Sequence, residues 1–92
     1  CGYRDYEVTT SGTVIAVQRY ESGCNAMVLK MDNPNDVLYP NVTVFVRREQ
    51  MSFAQMSEFA NKHVVVTAIH RAYNFDDCGT LVLVKIEDKK GE

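Results

Sequence analysis

The sequence predicts a mainly β domain with one helix, in the order strand, strand, strand, helix, strand, strand. Three observations predict it. Five short runs are rich in Val, Ile, Thr and aromatic residues, as pleated and half-buried segments are. One stretch changes to helical spacing and carries an N-terminal capping signature. Clusters of Gly, Pro, Asn, Asp and Ser punctuate the runs.

Taken in order, residues 1–11 (CGYRDYEVTTS) are polar with scattered aromatics and are expected to be a tail or tether, with a short strand near Val8. Gly12 introduces TVIAVQRY, the first strand. ESGCN reads as a turn and AMVLKM as the second strand. DNPND (residues 32–36) is a loop, because Pro34 has no N–H for a central ladder. Its resemblance to a calcium loop is superficial: the Gly and distant Glu of that pattern are missing. VTVFVRR then alternates, with Val42, Val44 and Val46 on one face and Thr43, Phe45 and Arg47 on the other.

The helix is expected over MSFAQMSEFANKH, residues 51–63. Ser52 suits the N-cap and Gln55 completes a capping box. Met51 and Met56 are spaced as a hydrophobic staple. Phe53, Met56, Phe59 and Ala60 form an apolar stripe, read as core and not as a ligand surface. Asn61, Lys62 and His63 suit the helix C-terminus. A closing hairpin follows: HVVVTAIHRAY, the turn NFDDCG, and TLVLVKIE. Residues 12–88 form the expected domain, and residues 89–92 a solvated tail.

Bulk composition narrows the function classes. The chain has 92 residues, 46% of them apolar, which is enough for one core. Ten basic residues against twelve acidic ones give a net charge of −2, without the excess of cations that sequence-independent phosphate binding uses. No apolar run approaches the roughly 18–20 residues of a membrane span. The chain has no GxSxG, HExxH or Gly-rich phosphate loop. Three cysteines without a CxxC pair do not suggest a zinc site. No enzyme activity, metal or cofactor is therefore expected. Asn41-Val42-Thr43 is a glycosylation sequon only in a eukaryotic secreted protein.

The element order, with Gly and a Val-rich run opening the first strand and an apolar run ending in acidic residues as the last, resembles the OB-fold. That family is a five-stranded Greek-key barrel with its helix between strands 3 and 4. The resemblance spans Gly12 to about Asp88 and rests on pattern. It implies a ligand groove across strands 2 and 3, between the loops at residues 20–25 and 73–79. The residues it offers for binding are Tyr20, Lys30, Phe45, Arg47, Arg71, Tyr73 and Phe75. It also places Cys24 and Cys78 on one side of the barrel. A disulfide there would close a loop of about 54 residues, worth roughly 4 kcal/mol in the chain-entropy model. Two free thiols in a reducing compartment are the alternative.

Cys1-Gly2 resembles the start of a mature bacterial lipoprotein, whose first cysteine carries the lipid. That resemblance implies a membrane-anchored domain at the cell envelope, periplasm-facing or extracellular, where disulfides persist. The expectation is a non-enzymatic binding or structural module with a protein partner, since exposed Tyr and Arg commonly anchor interfaces. The alternative is a single-stranded nucleic-acid binder that stacks bases on Phe45 and the loop aromatics. Glu21, Asp76 and Asp77 in the loops, and a pI near 5.6, oppose that alternative.

Overall fold

In the computed structural model, the described residues are 4–20, 23–33, 40–72 and 78–89. They form β1 (Tyr6–Arg19), β2 (Cys24–Met31), β3 (Asn41–Arg47), α1 (Phe53–Ser57), β4 (His63–His70) and β5 (Leu81–Asp88). The strands close into a barrel in the order β1-β2-β3-β5-β4. All neighbours are antiparallel except β3 and β5. The predicted class, a mainly β barrel of five strands with one helix after the third, is the observed one.

Strand β1 differs most from expectation. It starts at Tyr6, so residues 6–11 of the expected tail are ladder residues. Its first half pairs with β4, from Tyr6↔His70 to Thr13↔His63. Its second half pairs with β2, from Gly12↔Met31 to Arg19↔Asn25. Gly12 is thus the corner at which one strand serves both neighbours, not the strand's start. A Cβ there would lie 2.6 Å from the Lys30 carbonyl oxygen, so only glycine admits this close approach. The polar Thr-Thr-Ser run before it hid the ladder from a reading based on apolar alternation. Thr9 is exposed and Thr10 and Ser11 are half-buried; the Thr9 and Thr67 hydroxyls meet across the pair at 3.3 Å.

The interior is one cluster. Val14 from β1, Met27, Leu29 and Met31 from β2, Val44 and Val46 from β3 meet Val64, Val66 and Ala68 from β4 and Leu81 and Leu83 from β5. Inward residues alternate with outward ones, as pleated strands require. Two bulges interrupt the alternation. One lies between Val14 and Ala16 in β1, the other opposite Thr67 and Ala68 in β5. Each inserts one residue, Ile15 and Val84, which are 46% and 45% exposed. The slip returns Val17 and Ile86 to the core side.

The helix is shorter than predicted. Its start is as read: Ser52 Oγ accepts from Gln55 N at 3.2 Å, and Gln55 Oε1 accepts from Ser52 N at 2.9 Å. After Ser57, however, the chain tightens into i→i−3 bonds: Phe59 N to Met56 O, Ala60 N to Ser57 O and Lys62 N to Phe59 O. Asn61 then turns the chain with φ 66°, a conformation Asn tolerates better than most residues. Helical spacing over residues 58–63 therefore did not become α-helix. Met56 is fully buried in the barrel core, and Met51 and Phe59 pack against it. Ala60, expected in the stripe, is exposed. His63 opens β4 and does not end the helix.

Candidate functional site: the Cys24–Cys78 disulfide

The outer face of the β2–β3–β5 sector follows from register. Ala26 pairs with Phe45, which pairs with Val82, so the three share a face. Cys24, two residues before Ala26, points the same way. There Cys24 and Cys78 form a disulfide with Cα atoms 5.8 Å apart. They make a small second cluster with Val82 and Phe45, separate from the barrel interior. Cys24 and Cys78 are only 1% and 2% exposed. The free-thiol alternative is thereby removed.

Backbone and arginine contacts tie the described residues on either side of the disulfide to the strands. Arg48 donates from Nη2 to the Tyr20 carbonyl at 2.8 Å, and from its backbone N–H to the Gly23 carbonyl at 3.0 Å. Arg71 donates from Nη2 to the carbonyls of Cys78 and Gly79 at 3.0 and 2.7 Å. Arg47 Nη1 stands 4.0 Å from Cys78 Sγ. The Tyr20 ring meets Phe45 edge-on, with centroids 5.0 Å apart. Gly79 covers the Phe45 ring so closely that a Cβ at this position would overlap its atoms.

Four of the residues expected to bind, Tyr20, Phe45, Arg47 and Arg71, therefore gather at the disulfide end. Lys30 does not: it lies six residues along β2 from Cys24, about 20 Å away at strand rise, and is exposed beside Thr13 and Asn41. Tyr73, Phe75 and the lipidation residue Cys1 lie outside the described residues. His70 ends β4 and stacks on Tyr6, with centroids 5.0 Å apart.

The β1 corner carries a cluster that the sequence reading missed. Asp32 Oδ2 accepts from Ser11 Oγ at 2.7 Å and lies 2.6 Å from His63 Nε2 and 3.7 Å from Lys89 Nζ. Lys89 also donates from its backbone to the His63 carbonyl, so the start of the expected C-terminal tail is tied down. The hydrogen bonds from His63 and Ser11 hold the Asp32 carboxyl below its ordinary value, against a smaller opposing effect of burial. The four residues are scattered across the chain, so no local spacing signalled them. Ser11 donates to the carboxylate and not to the imidazole, so the cluster lacks the order of a nucleophilic triad. No family model, curated protein or solved structure matches this chain.

Proposed function

We propose that this chain is a non-enzymatic binding or structural module of the bacterial cell envelope, built on an OB-fold and engaging another protein. Support for the OB-fold comes from the ring order, the parallel β3 and β5, the helix between β3 and β4, and the β1 strand shared across a glycine corner. The observation that carries the functional reading is the Cys24–Cys78 disulfide over Phe45. It argues for an oxidising compartment, where such bonds persist. It also takes up the groove aromatic. A single-strand binder offers open ring faces to successive bases, whereas here Tyr20 and Gly79 occupy the Phe45 surroundings. The net charge of −2 supplies no long-range attraction for phosphate in its place.

The test is a titration of labelled single-stranded oligonucleotide at low salt. No saturable binding is expected. Salt-sensitive binding that Phe45→Ala abolishes would replace this reading with nucleic-acid recognition. The proposal includes a lipid on Cys1, and the mass of the N-terminal peptide from membranes of the native source tests that part. A bare thiol at Cys1 would remove the anchor and leave the protein-binding reading to be judged by the titration.

A further inference from the structure

We propose that the barrel rests against the bilayer that anchors it, with the Tyr6 end of β1 at the surface and the α1 end turned away. The inference rests on the lipid at Cys1 proposed above. The surface around Tyr6 then has one occupant, the zwitterionic interface of that bilayer. The reason is a short connection. The ladder opens at Tyr6, paired with His70. Asp5 is already fixed, because its Oδ1 accepts the Ala72 N–H at 2.8 Å. Residues 2–4 are all that separates Cys1 from a fixed residue. Fully extended, the steps from Cys1 to Asp5 cover at most about 14 Å. The headgroup layer outside the hydrocarbon is itself about 5–8 Å deep, which holds Asp5 within about 10 Å of its outer boundary.

The Tyr6 ring suits that position. It is 47% exposed, and its stack on His70, with 10° between the planes, sets its orientation. Tyrosine has an apolar body and a polar tip, which is why it collects at membrane–water interfaces. Asp5 and Glu7 flank it, and Arg4 offsets one of them, so ring insertion and not charge attraction makes the contact. The other end of β1 lies far from the anchor. Arg19 closes the strand with its guanidinium 4.3 Å from the Phe53 ring of α1. At strand rise it is about 43 Å along the chain from Tyr6. The end that carries Tyr20, Arg48 and α1 is thereby left to the protein partner.

The wild-type chain carries its own control, because Tyr6 and Tyr20 are 47% and 46% exposed and stand at the two ends of β1. With Cys24 and Cys78 bonded to each other, maleimide chemistry is directed to Cys1. The whole chain is coupled through Cys1 to a maleimide-bearing phospholipid in phosphatidylcholine vesicles, iodinated with lactoperoxidase and mapped by peptide mass. Labelling of Tyr6 relative to Tyr20 should fall about fivefold on coupling. An unchanged ratio, or a fall at Tyr20 instead, overturns the orientation. Tyr6→Trp, in a chain with no other Trp, should be quenched by brominated phosphatidylcholine equally at low and high salt. Quenching that high salt abolishes overturns ring insertion as the contact. If Tyr6→Trp does not fold, the wild-type iodination decides alone. The mass of the native Cys1 peptide separates this inference from the reading beneath it. A lipid on Cys1 with unchanged Tyr6 labelling overturns the orientation alone, whereas a bare thiol removes the anchor and the orientation together.

Discussion

The barrel is closed by two joins of opposite kind. Where β1 meets β4, the ladder runs through eight consecutive residues, Tyr6 to Thr13, without a bulge. Where β3 meets β5, it consists of Phe45↔Val82, and a covalent bond between Cys24 and Cys78 stands beside it. The first join spreads its stability over many weak interactions, and no single side chain dominates it. The second concentrates stability in one bond and the small apolar cluster around it. The barrel thus closes on a long ladder at one seam and on a single ladder pair with a covalent bond beside it at the other. The reason is geometric: β3 and β5 run parallel and overlap only near Phe45 and Val82.

This contrast predicts unequal responses to substitution. The largest is expected from replacing both Cys24 and Cys78 with Ala. Loss of the loop constraint should cost about 4 kcal/mol by the chain-entropy relation, read by urea denaturation of the non-reduced proteins. A cost below about 1 kcal/mol would mean that the β3/β5 seam holds without its staple. Gly12→Val should come next, at about 2 kcal/mol, because its Cβ meets the Lys30 carbonyl at the corner shared by both halves of β1. An unchanged midpoint would remove close approach as the reason for glycine.

Asp32→Asn sharpens the comparison at the corner where the β1/β4 ladder ends. The folded state holds the Asp32 carboxyl below its ordinary value, so the unfolded chain binds its proton more readily. Its contribution is present above the ordinary carboxylate range and fades as pH falls through that range and below. The wild type should exceed Asp32→Asn in stability by up to about 1 kcal/mol at pH 7, and the gap should close below about pH 4. A gap that widens on acidification would contradict the His63 and Ser11 hydrogen bonds as its source. The smallest effect is expected from Thr9→Val, which removes one exposed hydroxyl contact with Thr67. A midpoint shift above about 0.5 kcal/mol would show that the long seam also has a dominant residue.

Much of the architecture was legible in the sequence, because strands buried on one face repeat their apolar residues with period 2. Val42, Val44 and Val46 announced β3 in this way, and the Ser52–Gln55 box marked the start of α1. The first half of β1 was not legible. Thr9, Thr10 and Ser11 pair through backbone groups that every residue carries, and their half-exposed side chains leave no apolar period. The helix end was misread because i→i−3 turns and an α-helix bring similar residues to one side over so short a span. Within the candidate site, the Cys24–Cys78 pairing could be argued once the fold placed both loops together. That Gly79 would lie on Phe45 could not, since nothing in the sequence relates a turn glycine to a strand residue 34 positions earlier. Asp32, His63 and Lys89 likewise meet only through the ring's topology.

The order in which the strands join has a consequence for how the chain folds. β1, β2 and β3 are neighbours in sequence and can pair as soon as residues 6–47 are made. β1 cannot find β4 until His70 has been made, and β3 cannot find β5 until Val82 has. Distant pairings carry the larger loop-closure cost and tend to form late. Cys24 lies 54 residues ahead of its partner, so β1, β2 and β3 can pair before Cys78 is available. Loop-closure cost makes the Cys24–Cys78 bond one of the later contacts expected to form, and a three-stranded sheet with open edges is the kind of state from which misassembly starts.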